Sequence, residues 1–145
     1  MKKFITLILS VALLGFTQAD TKFPRTTTFS PADLEKAKVA ATAAKKSIAF
    51  IYTDKDSSCP LCQGAAAAFI DAVKAKSIIV FVNSEEKTAA MQLLPAAVQE
   101  AFRPGQYIPK VVVTDATSEK VVTSLNYENF KADERKSIRD FKKAL

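Results

Sequence analysis

The sequence contains no histidine, no tryptophan and only two cysteines among its 145 residues. Without histidine, the chain can form neither a Ser-His-Asp or Cys-His catalytic arrangement nor a histidine-ligated metal site. Two cysteines are too few for a four-cysteine zinc site or for a framework of several disulfides. Hydrophobic residues make up 48% of the chain and charged residues 25%, which is the balance of a folded domain and not of a disordered chain. The length fits one domain.

The sequence also lacks a dense run of basic residues, although its formal net charge is +6. Beyond the first few residues the lysines are scattered, with only short pairs at Lys45-Lys46 and Lys142-Lys143. A nucleic-acid-binding tract would be denser and would often carry interleaved aromatic residues. We therefore expect a mildly basic, soluble surface and no nucleic-acid partner.

The start of the chain has the three parts of a secretory signal peptide. Lys2 and Lys3 give a basic start, residues 4–16 are an apolar run, and residues 17–19 offer small side chains at the usual cleavage positions. The alternative, a membrane anchor, would need about 20 apolar residues. We predict a signal peptide over residues 1–19, no membrane anchor after its cleavage, and secretion into a bacterial periplasm.

After a polar, extended lead-in over residues 20–29, helices and strands alternate along the chain. The order is α-β-α-β-α-β-β-α, which indicates one α/β domain over residues 30–145. The second strand is almost entirely apolar, as is typical of a sheet covered by helices on both faces. The predicted elements are a helix over residues 30–46, a strand over 47–52, a helix over 60–75, a strand over 78–82, a helix opened by a capping box of Asn83 and Glu86 and broken at Pro95, strands over 111–113 and 120–124, and a closing helix with the apolar stripe Phe130, Ile138, Phe141 and Leu145.

The motif Cys59-Pro60-Leu61-Cys62 lies between the first strand and the helix that follows it. If Pro60 is the first helical residue, Cys59 is the N-cap, and its side chain accepts hydrogen bonds from the backbone N–H groups of Leu61 and Cys62. These donors and the positive end of the helix dipole favour the Cys59 thiolate. We predict that Cys59 is the nucleophile and that Cys62, one turn into the helix, is the resolving thiol.

The cysteine pair could also bind haem or a metal, or form a passive disulfide. Haem attachment requires a histidine where Gln63 stands, and zinc would need two further soft ligands that the chain lacks. Cu(I) bound by the two thiolates stays open, as does a passive local disulfide without redox function. We expect redox chemistry, with no metal and no organic cofactor.

The segment from Ser47 to Cys62, with the helix, strand and helix that follow and the late segment over residues 107–113, resembles the thioredoxin superfamily. The resemblance covers about residues 30–145, nearly all of the chain that follows the predicted signal peptide, and depends on the CxxC motif together with an Ile-Pro that opens a late apolar strand. It implies a thioredoxin-like three-layer fold, with a central mixed β-sheet of about four strands flanked by helices.

The resemblance also implies a role for Ile108 and Pro109. In the family the corresponding proline follows a cis peptide bond and packs against the disulfide. The backbone of Ile108 would then pair with an extended substrate chain beside Cys59. The alternative is that Pro109 is a strand-start proline without a role in the site.

The sequence departs from the family near the motif. Ser58 replaces the tryptophan often found before the first cysteine, and the dipeptide between the cysteines is Pro-Leu instead of Gly-Pro or Pro-His. Thr53 stands where cytosolic thioredoxins carry a buried acid. Asp54 and Asp56 are candidate proton acceptors for Cys62, although a solvated turn is the simpler interpretation of both. Lys110 could add positive charge near the thiolate, although a surface lysine is the simpler interpretation.

These residues predict a thiol–disulfide oxidoreductase that exchanges disulfides with protein thiols through Cys59 and Cys62. Its partners would be protein thiols or disulfides and a redox partner protein that supplies or accepts electrons, and we expect a monomer. The alternative is a non-catalytic, thioredoxin-like binding module that presents the groove around Pro109 and retains a passive CxxC. The direction of electron flow stays open.

Overall fold

The computed structural model describes residues 22–145, so the predicted signal peptide over residues 1–19 lies outside the described residues. In this part of the chain, none of the helices has the length and hydrophobicity needed to cross a membrane.

Within residues 22–145, five strands form one mixed sheet in the order β1-β3-β2-β4-β5. Strands β1 and β2 run parallel to β3, whereas β4 runs antiparallel to β2 and β5 antiparallel to β4. The predicted α/β class with a mixed sheet is confirmed. The strands are β1 (Thr28–Phe29), β2 (Ser47–Thr53), β3 (Ser77–Asn83), β4 (Lys110–Thr114) and β5 (Val121–Asn126).

The sheet has one strand more than the approximately four that were predicted. The additional strand, β1, is the end of the predicted lead-in, where Thr28 and Phe29 pair with Ile79 and Val80. The backbone N–H of Ile79 also donates to the carbonyl oxygen of Thr27 at 2.8 Å. The lead-in therefore covers the edge of β3 that would otherwise have unpaired backbone groups.

Helices cover both faces of the sheet. The break predicted at Pro95 is confirmed, since one helix ends before this residue and the next begins directly after it. The helices are α1 (Leu34–Ala44), which follows a 3-10 turn (Pro31–Asp33), α2 (Pro60–Val73), α3 (Lys87–Gln92), α4 (Ala96–Phe102), α5 (Tyr127–Ala132) and α6 (Glu134–Ala144).

Two predictions about helices are wrong. The predicted closing helix is two helices, because Asp133 has an extended backbone and starts α6 anew, its side chain accepting from the N–H of Lys136 at 3.0 Å. No capping box opens α3. Instead the Asn83 side chain accepts from the N–H of Glu85 at 3.1 Å, which forms a turn before the helix begins.

Two apolar clusters, one on each face of the sheet, give the three layers that were predicted. The side chains of β2 alternate between them, with Phe50 in the cluster under α1, α3 and α4, and Ile51 in the cluster under α2, α5 and α6. Strands β2 and β3 are therefore buried on both faces, which explains their nearly continuous apolar sequences.

The register between β2 and β4 places the CxxC loop and the Ile-Pro segment at the same end of the strands. Tyr52 pairs with Lys110 in this antiparallel ladder. The next residue of β2, Thr53, consequently lies opposite Pro109. The chain continues from Thr53 into the loop that leads to Cys59, so both segments leave the sheet at the same end.

Candidate functional site

Cys59 is the N-cap of α2, as its position before Pro60 predicted. Its backbone is extended (φ −82°, ψ 107°), and Pro60 is the first helical residue. The Cys59 Sγ atom accepts a hydrogen bond from the backbone N–H of Cys62 at a donor–acceptor distance of 3.3 Å. This N–H is one of the helix-start donors that have no partner within the helix, so the sulfur replaces a backbone acceptor.

The loop before Cys59 is tied to the start of α2 by two further hydrogen bonds. The backbone N–H of Cys59 donates to Ser57 Oγ at 3.2 Å. The side-chain amide of Gln63 donates to the Ser57 carbonyl oxygen. In the sequence, Gln63 is informative only because it stands where haem attachment would require a histidine. Gln63 lies one helical turn after Cys59, and this spacing could have indicated that its side chain reaches back to the loop.

The surroundings of Cys59 stabilise its thiolate. The pKa of Cys59 lies below its ordinary value because the Cys62 thiol donates a hydrogen bond to it and the Cys62 backbone N–H donates a second. The backbone N–H of Leu61 contributes in the same direction. Hydrogen bonds that are made to the charged form of an acid favour that form.

Cys62 is in the opposite situation. Burial raises the pKa of Cys62 to about 11, and the hydrogen bond to Cys59 and the negative charges of Cys59 and Asp54 act in the same direction. Both cysteines are free thiols with intermediate exposure. As the pH rises, Cys59 is therefore the first of the two to lose its proton.

The two residues between the cysteines are both exposed. Leu61 has 65% of its surface accessible, which is unusual for a large apolar side chain and leaves it free to touch a partner. Among residues 22–145, no cluster of three or more cysteine, aspartate or glutamate side chains is placed to hold a metal ion.

The Ile108–Pro109 peptide bond is cis, as the resemblance implied. Pro109 is buried, and Ile108 is partly buried against the cluster under α1, α3 and α4. The residue before them, Tyr107, has 61% of its surface exposed. The segment thus turns from an exposed aromatic side chain into the buried start of β4.

The polar residues at the end of β2 form a turn. Asp54 accepts a hydrogen bond from the backbone N–H of Asp56 at 2.9 Å, and Asp56 is exposed. Asp54 also acts on the site, since its charge contributes to the raised pKa of Cys62. Thr53 is buried and Ser58 is exposed, so neither an acid nor an aromatic side chain occupies these two positions.

The interpretation of Lys110 as a surface lysine is wrong. Its side chain is only 8% exposed, and its Nζ atom donates to the carbonyl oxygens of Phe102 and Gly105 at 2.8 and 2.6 Å. Phe102 ends α4, which lies on the face of the sheet opposite α2. Lys110 therefore points away from the helix that carries Cys59.

The chain has a mixed sheet of this strand order, a CxxC motif at the start of α2 and a cis-proline directly before β4. The fold is thioredoxin-like. The sequence matches no protein-family model and no curated protein. Among solved structures, the thioredoxin-like fold of this chain is similar to a chain titled "DsbH Oxidoreductase", with 13% sequence identity and a TM-score of 0.44. The match covers 72% of this chain and 81% of that chain.

Proposed function

We propose that the protein is a secreted thiol–disulfide oxidoreductase in which Cys59 and Cys62 are the redox pair. The observation that carries the proposal is the difference between the pKa values of the two thiols. The pKa of Cys59 is lowered by donors at the start of α2, whereas the pKa of Cys62 is raised to about 11. A nucleophile that ionises early beside a thiol that ionises late is the arrangement needed for ordered disulfide exchange.

In the reducing direction, the Cys59 thiolate attacks one sulfur of a substrate disulfide. The substrate S–S bond breaks, a mixed disulfide forms at Cys59, and the first substrate sulfur leaves as a thiolate. Cys62 then loses its proton and attacks the Cys59 sulfur, which forms the Cys59–Cys62 disulfide and releases the second substrate sulfur. Two electrons pass to the substrate, which takes up two protons. The oxidising direction reverses these steps.

The mixed disulfide changes the environment of Cys62. Cys59 then carries no negative charge, so its contribution to the raised pKa of Cys62 disappears and the Cys62 thiol becomes easier to ionise. Asp54 is the carboxylate whose charge reaches Cys62. Asp54 is therefore the candidate acceptor for the Cys62 proton, directly or through solvent.

Ile108 and Pro109 are proposed to receive the substrate chain. The register between β2 and β4 supports this, because Pro109 precedes β4 at the end of the sheet where β2 continues into the CxxC loop. Exposed apolar side chains on both segments, Leu61 and Tyr107, suit contact with a partly unfolded or extended protein substrate. The Ile108 backbone would pair with that extended chain.

The remaining parts of the proposal concern location and partners. The signal-peptide pattern of residues 1–19 supports secretion, and an oxidising compartment such as the periplasm is where disulfide exchange between proteins is needed. We propose a monomer that exchanges electrons with a redox partner protein and needs no organic cofactor or metal.

The direct test is reduction of insulin disulfides with dithiothreitol as the electron source. The wild-type protein should accelerate the reaction, and Cys59→Ser should abolish the acceleration. Ser58→Ala, which changes an exposed neighbour of the nucleophile, is the matched control and should retain the rate. A wild-type rate no faster than dithiothreitol alone would overturn the proposal. Equilibration with glutathione buffers would give the reduction potential and hence the direction of electron flow.

A second candidate function is a binding module with a passive cysteine pair. It is favoured by Ser58, which leaves the usual position of an aromatic residue before the motif occupied by a small polar one. Alkylation of Cys59 over a range of pH separates the two candidates. A Cys59 pKa near the ordinary value of about 8.5 would support the module, and a lower pKa supports the oxidoreductase.

A further inference from the structure

We propose that Lys110 and Glu128 are positioning residues that hold the loop over residues 103–108 so that the Ile108 backbone is presented to a protein substrate. This inference rests on the proposed function, since it assigns to these two side chains a part in substrate recognition. Neither residue belongs to the CxxC motif, and neither was interpreted from the sequence as part of the site.

Lys110 fixes the loop from inside the fold. It is the first residue of β4 and directly follows Pro109. Its buried Nζ atom donates to the carbonyl oxygens of Phe102 and Gly105, one at the end of α4 and the other within the loop. A buried ammonium group is tolerated only where acceptors replace its water. The loop supplies an acceptor, and the lysine in turn fixes the loop.

Glu128 fixes the same loop from its other side. This residue lies in the first turn of α5, and its Oε1 atom accepts from the backbone N–H groups of Gln106 and Tyr107 at 2.6 and 3.0 Å. One carboxylate thus binds two consecutive donors, and bonds of this charge-assisted kind are stronger than neutral ones. Lys110 thus holds a carbonyl group of the loop, and Glu128 holds two of its N–H groups.

The charges of the two side chains also support each other. Burial lowers the pKa of Lys110, and the negative charge of Glu128 opposes that change. Burial raises the pKa of Glu128, but the hydrogen bonds from the loop N–H groups and the charge of Lys110 outweigh it and lower this pKa. The carboxylate form of Glu128 is therefore favoured while it holds the loop, and its negative charge favours the ammonium form of Lys110.

Gly105 is required for this arrangement. Its backbone is left-handed, with a φ of +83° that side chains of L-residues rarely adopt. A Cβ atom at this position would collide with the carboxylate of Glu128. An alanine at position 105 would therefore displace Glu128 from the loop without altering either charged residue.

The contacts of Lys110 and Glu128 with the loop affect substrate binding and do not change the pKa of Cys59. Lys110 bonds on the face of the sheet opposite α2, and it is not among the groups that lower the pKa of Cys59. The loop that it holds ends in Tyr107 and Ile108, which are proposed to contact the substrate chain. Loss of Lys110 should therefore weaken reactions that need an ordered chain beside Cys59 more than reactions with a small disulfide.

The test compares Lys110→Met with Lys120→Met, which removes an exposed lysine in the turn between β4 and β5. For Lys110→Met, kcat/KM for insulin should fall by about 10- to 100-fold, as expected when a positioned group moves by about 1 Å. Reduction of oxidised glutathione should fall far less, and the pKa of Cys59 should stay at its wild-type value. Lys120→Met should match the wild type with both disulfides.

A second variant and a second measurement keep the test decisive if Lys110→Met does not fold. Gly105→Ala should show the same selective loss with insulin. Both variants should also speed amide hydrogen exchange at Gln106 and Tyr107, because Gly105→Ala displaces the Glu128 acceptor and Lys110→Met releases the carbonyl group of Gly105 next to them. Unchanged insulin kinetics in Gly105→Ala, or an equal loss with insulin and glutathione, would overturn the inference.

Failure of the proposed function gives a different result. If the wild-type protein reduces neither insulin nor oxidised glutathione, the oxidoreductase proposal is wrong. The assignment of Lys110 and Glu128 to substrate presentation is then wrong as well. Slow exchange at Gln106 and Tyr107 that speeds up in Gly105→Ala would then show that the two residues only order the loop.

Discussion

The sulfur of Cys59 accepts a hydrogen bond from the backbone N–H of Cys62 at 3.3 Å, so the two cysteines are joined at the first turn of α2 even as free thiols. This bond is one of the contacts that make the two thiols unequal, and burial of Cys62 is another. The pKa of Cys59 is lowered, first by the Cys62 thiol and then by this backbone donor, and the pKa of Cys62 is raised to about 11.

Replacement of Cys62 should separate the two contributions to the Cys59 pKa. Cys62→Ala removes the thiol donor but keeps the backbone N–H, so the pKa of Cys59 should rise above the wild-type value and remain below that of an ordinary thiol. In Cys62→Ser a hydroxyl can replace the thiol as donor, so the rise should be smaller. The pH dependence of iodoacetamide alkylation measures both values. An alanine variant with an unchanged Cys59 pKa would show that the thiol does not contribute.

Asp54 and Asp56 are two carboxylates of one turn, of which only Asp54 acts on Cys62. Asp54→Asn should lower the pKa of Cys62, because a negative charge that disfavours the thiolate is removed. The effect should be a fraction of the total rise, since burial and Cys59 contribute more. Asp56→Asn should leave this pKa unchanged. Titration followed by NMR of labelled cysteine measures both variants, and equal shifts would contradict the assignment of Asp54.

The raised pKa of Cys62 predicts a pH dependence of stability in the reduced protein. A thiol with a raised folded-state pKa stabilises the fold fully below its unfolded-state pKa, near 9, and this contribution is lost as the pH rises through about 11. Cys59 acts in the opposite sense, because its folded-state pKa is lowered, and its contribution is complete once the pH is above the unfolded-state value. Urea unfolding should therefore show that wild type loses stability relative to Cys62→Ala between pH 9 and 11. A pH-independent difference between the two proteins would contradict this prediction.

Phe69 anchors α2, and with it the CxxC motif, to the sheet. Its side chain is fully buried and meets the ring of Phe130 edge-on at a centroid distance of 5.3 Å. Phe69→Ala should lower the free energy of unfolding by about 3 to 5 kcal/mol, the usual effect of truncating a buried phenylalanine. Leu93→Ala, at a side chain with 52% exposure, should have little effect. Urea titration of both variants tests this, and similar losses in both would contradict the role of Phe69.

The start of α2 could be predicted because its determinants are local. Pro60 at the first helical position sets the register of the helix, and that register makes Cys59 the cap and places Cys62 within reach of it. The apolar runs that became β2 and β3 were equally clear, since burial on both faces leaves no polar alternation to confuse the interpretation.

The features that could not be predicted depend on contacts between distant parts of the chain. The short strand β1 has no sequence pattern of its own and forms because Thr28 and Phe29 meet β3. Lysine is rarely buried, so the sequence predicts a surface position for Lys110, whereas in the fold its ammonium group donates to the carbonyl oxygens of Phe102 and Gly105. The contact of Glu128 with Gln106 likewise joins residues that the sequence separates.

The most direct measurement of the central claim is the capture of a mixed disulfide with a defined probe. Oxidised glutathione would be added separately to reduced Cys62→Ser and to reduced Cys59→Ser at neutral pH, and the adducts would be mapped by mass spectrometry. The account predicts fast formation of a stable glutathione adduct at Cys59 in the first variant and little reaction at Cys62 in the second, because burial, the largest cause of the raised Cys62 pKa, persists when Cys59 is replaced. Equal rates in the two variants, or faster modification of Cys62, would contradict it.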